Sequence, residues 1–222
     1  MYTLKPSERL VNMMGSGRNY KIPKGQIIQS TDDRRVFNYL KSGFVKRYLI
    51  SNDGSYGVQV IYGPEDMFPI TLAFSAVFNR NINESPETYY YEAMTDVELY
   101  TIDEATLNEA IQKDPELYKD LFGICGVRLH STLHGLENLT LSNSYHRVAH
   151  EILFLAKKFG AKKAKGTEIQ VQLTHQDLAD ILSLTRETVS TAMVQLRKNK
   201  LITTGKNISV PDMAKLEEEA HD

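Results

Sequence analysis

A chain of 222 residues with 41% hydrophobic content has enough material for one or two domains with real cores. No apolar run approaches the length of a membrane span, and MYTLKPSERLVNMMG puts charges where a secretory signal needs an apolar stretch, so a cytoplasmic protein with no membrane partner is expected. The formal net charge is −2, and the single cysteine, Cys125, excludes a disulfide framework, a CxxC zinc site and a four-cysteine iron–sulfur cluster held by one chain.

In chain order, residues 4–14 suit a short helix with Leu4, Leu10, Val11 and Met14 as its apolar stripe. From about Tyr20 the period changes. Pro23-Lys24-Gly25 is a turn signal, and Gln26-Ile27-Ile28 reads as a strand. Val36 to Leu40 and Phe44 to Ile50 are strands about the turn Lys41-Ser42-Gly43. Asn52-Asp53-Gly54 marks a hairpin returning through Tyr56 to Tyr62, and Gly63-Pro64-Glu65-Asp66 turns again. Tyr89 to Met94 and Val97 to Ile102 are a later strand pair. Short strands with frequent turns point to an antiparallel roll or small barrel. Nothing repeats at a fixed period.

Asp103 to Ile111 reads as a short helix, and Pro115 to Asn138 as a long one with Pro115 in its first turn. Leu117, Leu121, Ile124, Val127 or Arg128, Ser131, Leu136 and Leu139 approximate a heptad seam. A homodimer joined through Leu117, Leu121, Ile124 and Leu136 is expected. The competing reading is a helix packed only on its own roll. Leu139 to Ser144 is the expected hinge, and Tyr145 to Phe159 the next helix, with Val148, Ile152, Leu153, Leu155 and Ala156 inward. Gly160 to Gly166 reads as a basic loop and Glu168 to Leu173 as a half-exposed strand. Leu201 to Thr204 and Asn207 to Val210 flank Gly205-Lys206, a β wing tipped by a lysine. Residues 211–222 form a short acidic helix or a frayed end. The fold class is thus α+β: an antiparallel β roll over 1–114, a long dimerisation helix and hinge over 115–142, and a winged helix-turn-helix over 143–222.

Charge follows this division. Residues 1–143 hold 14 Lys+Arg against 18 Asp+Glu, residues 144–210 hold 11 against 5, and residues 211–222 hold 1 against 5. The basic block therefore coincides with the segment Leu173 to Leu201, LTHQDLADILSLTRETVSTAMVQLRKNKL. That segment reads as two helices joined by a tight turn at Ser183-Leu184. Thr174 is the first N-cap, with Asp177 completing a capping box, and Thr185 is the second. Leu178, Ala179, Ile181 and Leu182 form one apolar face; Val189, Ala192, Met193 and Leu196 form the other. Arg186, Glu187, Ser190 and Thr191 are left outward near the start of the second helix, where a helix-turn-helix meets the major groove. Arg can pair with guanine O6 and N7, and Glu can accept from cytosine N4. A Glu beside DNA is costly unless it reads a base, so Arg186-Glu187 says more than Arg alone. The bland alternative is an αα-hairpin with a solvated charged face.

Gln176 through Ile202 resembles the helix-turn-helix of the Crp/Fnr family of transcription regulators, in its T-x-Q-D-L-A start, its T-R-E-T-V core at Thr185 to Val189 and its Leu201-Ile202 exit. The resemblance implies that Arg186 and Glu187 read bases and that Gln176, Thr185 and Thr188 hold phosphates on double-stranded DNA, with Lys206 of the wing adding a phosphate contact. Where the family usually has a second base-reading Arg, this chain has Thr191, so only part of the family's TGTGA-like or TTGA-like half-site is expected. The resemblance also implies a cyclic-nucleotide-binding-like roll, a near-palindromic site for a homodimer, and RNA polymerase as a partner if the protein activates.

The family's cyclic-AMP cassette is a Gly-Glu pair followed by Arg-Ser-Ala. Here Phe74-Ser75-Ala76 is not such a site, Arg80 is the only basic residue between Arg47 and Lys113, and the usual Thr-Ser of the long helix reads Thr132-Leu133. Control by cyclic AMP is not expected; the effector is an unidentified small molecule or none, and no cofactor is assigned. Of Tyr89, Tyr90 and Tyr91, two are expected in packing rather than a ligand box. His130 with His134, and His146 with His150, stand at i, i+4, but neither pair has a HExxH carboxylate, so packed or solvated histidines are expected and no metal site is assigned. The alternative functions are a small-molecule-binding roll without DNA function and a cupin-like enzyme. The second is disfavoured because no His lies between Tyr20 and Ile111, and no catalytic motif appears elsewhere, so no enzyme is expected.

Overall fold

The computed structural model describes residues 5–28, 36–50, 54, 56–78, 89–140 and 143–221. The expected hairpin tip Asn52-Asp53 lies outside the described residues, as do Leu4, Arg80, Leu141 and Ser142. Two units divide the chain, the first ending at Leu129 and the second beginning at His130. No described helix is long and apolar enough to cross a membrane.

The first unit runs α1 (Glu8–Gly15), β1 (Arg18–Ile22), β2 (Val36–Ser42), β3 (Val45–Ile50), β4 (Tyr56–Tyr62), β5 (Met67–Phe68), α2 (Ile70–Phe78), β6 (Tyr89–Ala93), β7 (Val97–Asp103) and α3 (Glu104–Lys113). The long helix α4 (Leu117–Thr140) begins in it. Its strands form two antiparallel sheets, ordered β1-β7-β2-β5 and β4-β3-β6. Strand β2 is buried on both faces, and its alternation sorts it between two cores. Phe37 and Tyr39 join Leu10, Met14, Leu72, Leu107 and Ile111 against the helices. Leu40 joins Val45, Tyr62, Phe68, Tyr91 and Leu99. Buried Asn38 between them donates to the Phe68 carbonyl at 3.2 Å and accepts from the Thr101 hydroxyl at 2.8 Å, so its desolvation is offset. The expected turn at Gly43 is required by its backbone: φ is +88°, and a Cβ there would stand 2.3 Å from the Asp96 carbonyl oxygen.

Three expectations change in this unit. Gln26 to Ile28 is not a full strand: it bridges β6 only at Ile27 and Glu92, although the Ile28 N–H still donates to the Tyr91 carbonyl at 2.7 Å. Residues 70–78, assigned to no element from sequence, form α2; ITLAFSAVF carries no charged residue and only Thr71 and Ser75 as polar ones, too few to mark a helical period. The largest change is on α4. Leu117 and Leu121 are 3% and 0% exposed in the core of their own unit, and Ile124 packs against that core. They hold the helix to the roll and cannot serve as a seam to a second chain. The apolar side chains that α4 leaves in solvent are instead Tyr118, Phe122, Leu129, Leu133, Leu136 and Leu139. Of the expected seam, Leu136 and Leu139 are among them, at 55% and 60% exposure.

The second unit continues with α5 (Ser144–Phe159), β8 (Gly160–Lys163), β9 (Gly166–Ile169), α6 (His175–Leu182), α7 (Arg186–Lys198), β10 (Thr203–Thr204), β11 (Ile208–Val210) and α8 (Met213–His221). The strands form one antiparallel sheet, ordered β10-β11-β9-β8. The segment expected as a basic loop is β8, an edge strand whose lysines Lys162 and Lys163 lie in solvent. The strand expected over 168–173 is instead β9, which ends at Ile169; one further bond, from the Gln170 N–H to the Phe159 carbonyl at 3.0 Å, continues its pairing with β8. The acidic tail is the helix α8, tied to α5 by Tyr145 donating to Glu219 at 2.5 Å and by the Lys157–Glu217 pair.

Candidate nucleic-acid interface

Local chemistry fixes both helices of the 174–198 hairpin. Thr174 Oγ1 accepts from the Asp177 N–H at 3.0 Å, and Asp177 Oδ2 accepts from the Thr174 N–H at 2.8 Å, a complete capping box. Ser183 ends α6 in the left-handed region with φ 51°, which turns the chain sharply into α7. The carbonyl of Leu182 accepts from the Arg147 guanidinium of α5. Thr185 caps α7: its Oγ1 accepts from the Thr188 N–H at 3.2 Å and lies 2.9 Å from the Thr188 hydroxyl.

The apolar faces are those expected except at Ile181, which is only half-buried. Leu178, Ala179 and Leu182 of α6 are buried, as are Val189, Ala192, Met193 and Leu196 of α7. With that face committed inward, the helical period turns Arg186, Glu187 and Thr191 to solvent. The outward residues are not equivalent. Arg186 and Glu187 stand exposed in the first turn of α7. Ser190 is half-buried, with its hydroxyl 2.8 Å from His175 Nδ1, so it locks α7 to α6. Thr191 donates to the carbonyl of Glu187 at 3.0 Å, within its own helix. The part His175 plays was not visible in the sequence, since a contact fifteen positions apart leaves no periodic signal.

Of the residues expected at phosphates, Gln176 is exposed and donates to Asp180 at 2.7 Å; Thr185 and Thr188 share the cap. Lys206 lies exposed between β10 and β11, and Arg197 donates to the Thr204 hydroxyl at 3.4 Å, joining the end of α7 to that hairpin. Exposed Lys162, Lys163, Lys165, Lys198 and Lys200 supply further positive charge in this unit.

Residues 146–219 match the family model described as a Crp-like helix-turn-helix domain. The chain is 28% identical over 176 residues to a CRP-like cAMP-activated global transcriptional regulator of Mycobacterium tuberculosis, which covers 79% of this chain and 75% of that protein. The chain thus carries a Crp-like helix-turn-helix domain and is similar over most of its length to Crp/Fnr-type transcription regulators. An anaerobic regulatory protein of Aggregatibacter actinomycetemcomitans is 25% identical over 201 residues, 90% of this chain and 75% of that one. Among solved structures, a CooA variant from Carboxydothermus hydrogenoformans superposes with a TM-score of 0.76 at 19% identity, covering 98% of this chain and 97% of that one, a likeness of fold.

The roll carries aromatic rings packed on one another and on cations. Tyr91 stacks on Phe68 at 5.0 Å, and burial pushes its phenol well above the ordinary range. Tyr90 stacks on Tyr48 at 5.3 Å. The Arg47 guanidinium sits 3.9 Å from the centre of the Tyr89 ring, and that of Arg128 sits 4.5 Å from Tyr62. The tyrosine cluster is thus divided: Tyr91 in the core, Tyr90 on a neighbouring strand's ring, Tyr89 beneath an arginine. On α2, Ser75 is buried.

Proposed function

We propose that this chain is a sequence-specific, DNA-binding transcription regulator that works as a homodimer in the cytoplasm, and that it is not an enzyme. The observation that carries this reading is the exposed Arg186–Glu187 pair in the first turn of a helix whose opposite face is fully buried. That arrangement offers a bidentate donor and an acceptor to base edges at the end of the helix that enters a groove. Thr185, Thr188, Gln176 and Lys206 position the unit on phosphates; Ser190, bound to His175, contributes rigidity more than readout. Residues 1–114 act as sensor, 115–142 as dimerisation helix and hinge, and 143–222 as the DNA-binding part. The seam between protomers uses Phe122, Leu129, Leu133, Leu136 and Leu139, whose spacings of three, four and seven suit a parallel pair of helices. A two-fold dimer presents two recognition helices to a near-palindromic site. RNA polymerase is a partner if the protein activates.

Cyclic AMP does not control it on this reading. The cassette's arginine is replaced by Phe74, the serine that follows is buried, and Leu133 stands where an adenine contact would be. The effector is an unidentified small molecule or none. Calorimetric titration checks this, and saturable micromolar binding of cyclic AMP refutes it.

The central test is a mobility shift on a selected duplex and on random duplex. Arg186→Ala is expected to cost about 1–3 kcal/mol on the specific site and much less on random sequence. Equal weakening on both would make Arg186 a phosphate contact and overturn its assignment as a base reader.

A further inference from the structure

Where α4 ends against α5, the second unit brings together groups that no helix-turn-helix requires. We propose that His134, Glu137 and His150 form a site for a divalent transition-metal ion of the zinc class. Their candidate ligand atoms all lie within 4.8 Å of one another. Among the described residues this is the one group of three His, Cys, Asp or Glu side chains so arranged. The sequence suggests two histidine pairs, each on a single helix; the structure takes one histidine from each. His134 and Glu137 are three apart on α4 and share a face, while His150 arrives from α5.

Two imidazoles and a carboxylate are a donor set that zinc takes, at about 2.0–2.2 Å from the ion. Donors within 4.8 Å of one another reach that geometry once the two imidazoles, stacked face to face, turn so that both ring planes meet at the ion. The two histidines are buried side by side. His134 and His150 are 5% and 7% exposed, and their rings stack at 4.2 Å with planes 13° apart. Phe154 stacks on His134 at 4.2 Å. Glu151, also buried, has Oε2 3.8 Å from His134 Nε2, the place of an outer-sphere carboxylate or a fourth ligand. Glu137 is exposed and gives an ion a path in from solvent. A bound ion cross-links the last turns of α4 to α5. The competing account is that His134 and Glu151 form a buried ion pair and nothing more.

The test is titration of the full-length, chelator-treated protein with cobalt(II), read by its visible absorption, followed by displacement with zinc(II). One equivalent of cobalt per chain, displaced by zinc, is expected. Glu137→Gln alters an exposed side chain and leaves the circular dichroism unchanged; it is expected to weaken binding at least as much as loss of an outer partner does, about 10–100-fold. His150→Gln is expected to abolish the bands. The double variant His130→Gln, His146→Gln is expected to keep them, since those residues are not ligands. Absence of cobalt bands in the native protein, or bands that survive both Glu137→Gln and His150→Gln, overturns the site and leaves the ion pair. If His150→Gln does not fold, Glu137→Gln alone decides.

Discussion

Thr185 joins the stability of the recognition helix to its use, and three substitutions there separate the two. Its hydroxyl oxygen accepts from the Thr188 N–H at 3.2 Å and neighbours the Thr188 hydroxyl at 2.9 Å. Thr185→Ala leaves that first-turn N–H to solvent. Loss of an N-cap costs about 0.5–2 kcal/mol, and because Thr185 is exposed, water recovers part of the bond, which places the cost near 1 kcal/mol. The second unit, beginning at His130, has the size at which about 1 kcal/mol moves the melting midpoint by about 4–8 °C. Thr185→Ser keeps the acceptor and is expected to hold the native midpoint. Thr185→Asp keeps the acceptor, adds a negative charge at the positive end of the helix, and is expected to match or exceed native stability. The same charge repels DNA, so Thr185→Asp is expected to lose affinity for every duplex alike, specific or random. Scanning calorimetry paired with mobility shift reads both effects. The reasoning fails if alanine melts with the native protein, if serine falls as far as alanine, or if Asp binds DNA at native strength.

Other outcomes follow from burial. Leu136→Glu puts a charge into the exposed stripe of α4 and is expected to give a folded monomer by analytical ultracentrifugation. Leu121→Ala, fully buried in the roll, is expected to cost about 2–5 kcal/mol of stability while leaving the oligomeric state unchanged; an unaltered mass for the first, or dissociation caused by the second, reverses the assignment of the two stripes. Burial pushes the Cys125 thiol up to about 11, so it stays protonated at pH 8 and is expected to resist thiol reagents until the protein is denatured. Tyr145 is pushed up to about 12, chiefly by burial and then by its hydrogen bond to Glu219. Its folded value exceeds its unfolded one, so its contribution is intact below about pH 10 and is lost as pH rises toward 12. Tyr145→Phe is expected to flatten that part of the stability profile, and an unchanged slope refutes the assignment.

What the sequence made legible was what local chemistry encodes. Thr174 and Asp177 are three apart and bond each other's backbone, so a capping box could be read directly. Val189, Ala192, Met193 and Leu196 follow one period, and their helix is where they place it. Failures came where the deciding partner is distant in the chain. Helix α4 carries apolar residues on two faces, and its spacing cannot say which face meets the roll; Leu121 and Phe122 are neighbours in sequence and opposites in exposure. Helix α2 has no charged residue, and its two polar ones, Thr71 and Ser75, do not mark a period. At the interface, His175 with Ser190 was invisible for the same reason, and so was the meeting of His134 with His150.

The hydroxyl of Thr191 is spent on its own helix, and that of Ser190 on His175. On the proposed reading only two long side chains, Arg186 and Glu187, therefore remain to interrogate a half-site. Each mismatched pair costs a reader about 1–3 kcal/mol, so a two-letter vocabulary leaves many genomic addresses within reach. In the proposed dimer, discrimination is recovered by doubling the word: the same two letters spoken twice, at a separation set by the distance between paired recognition helices.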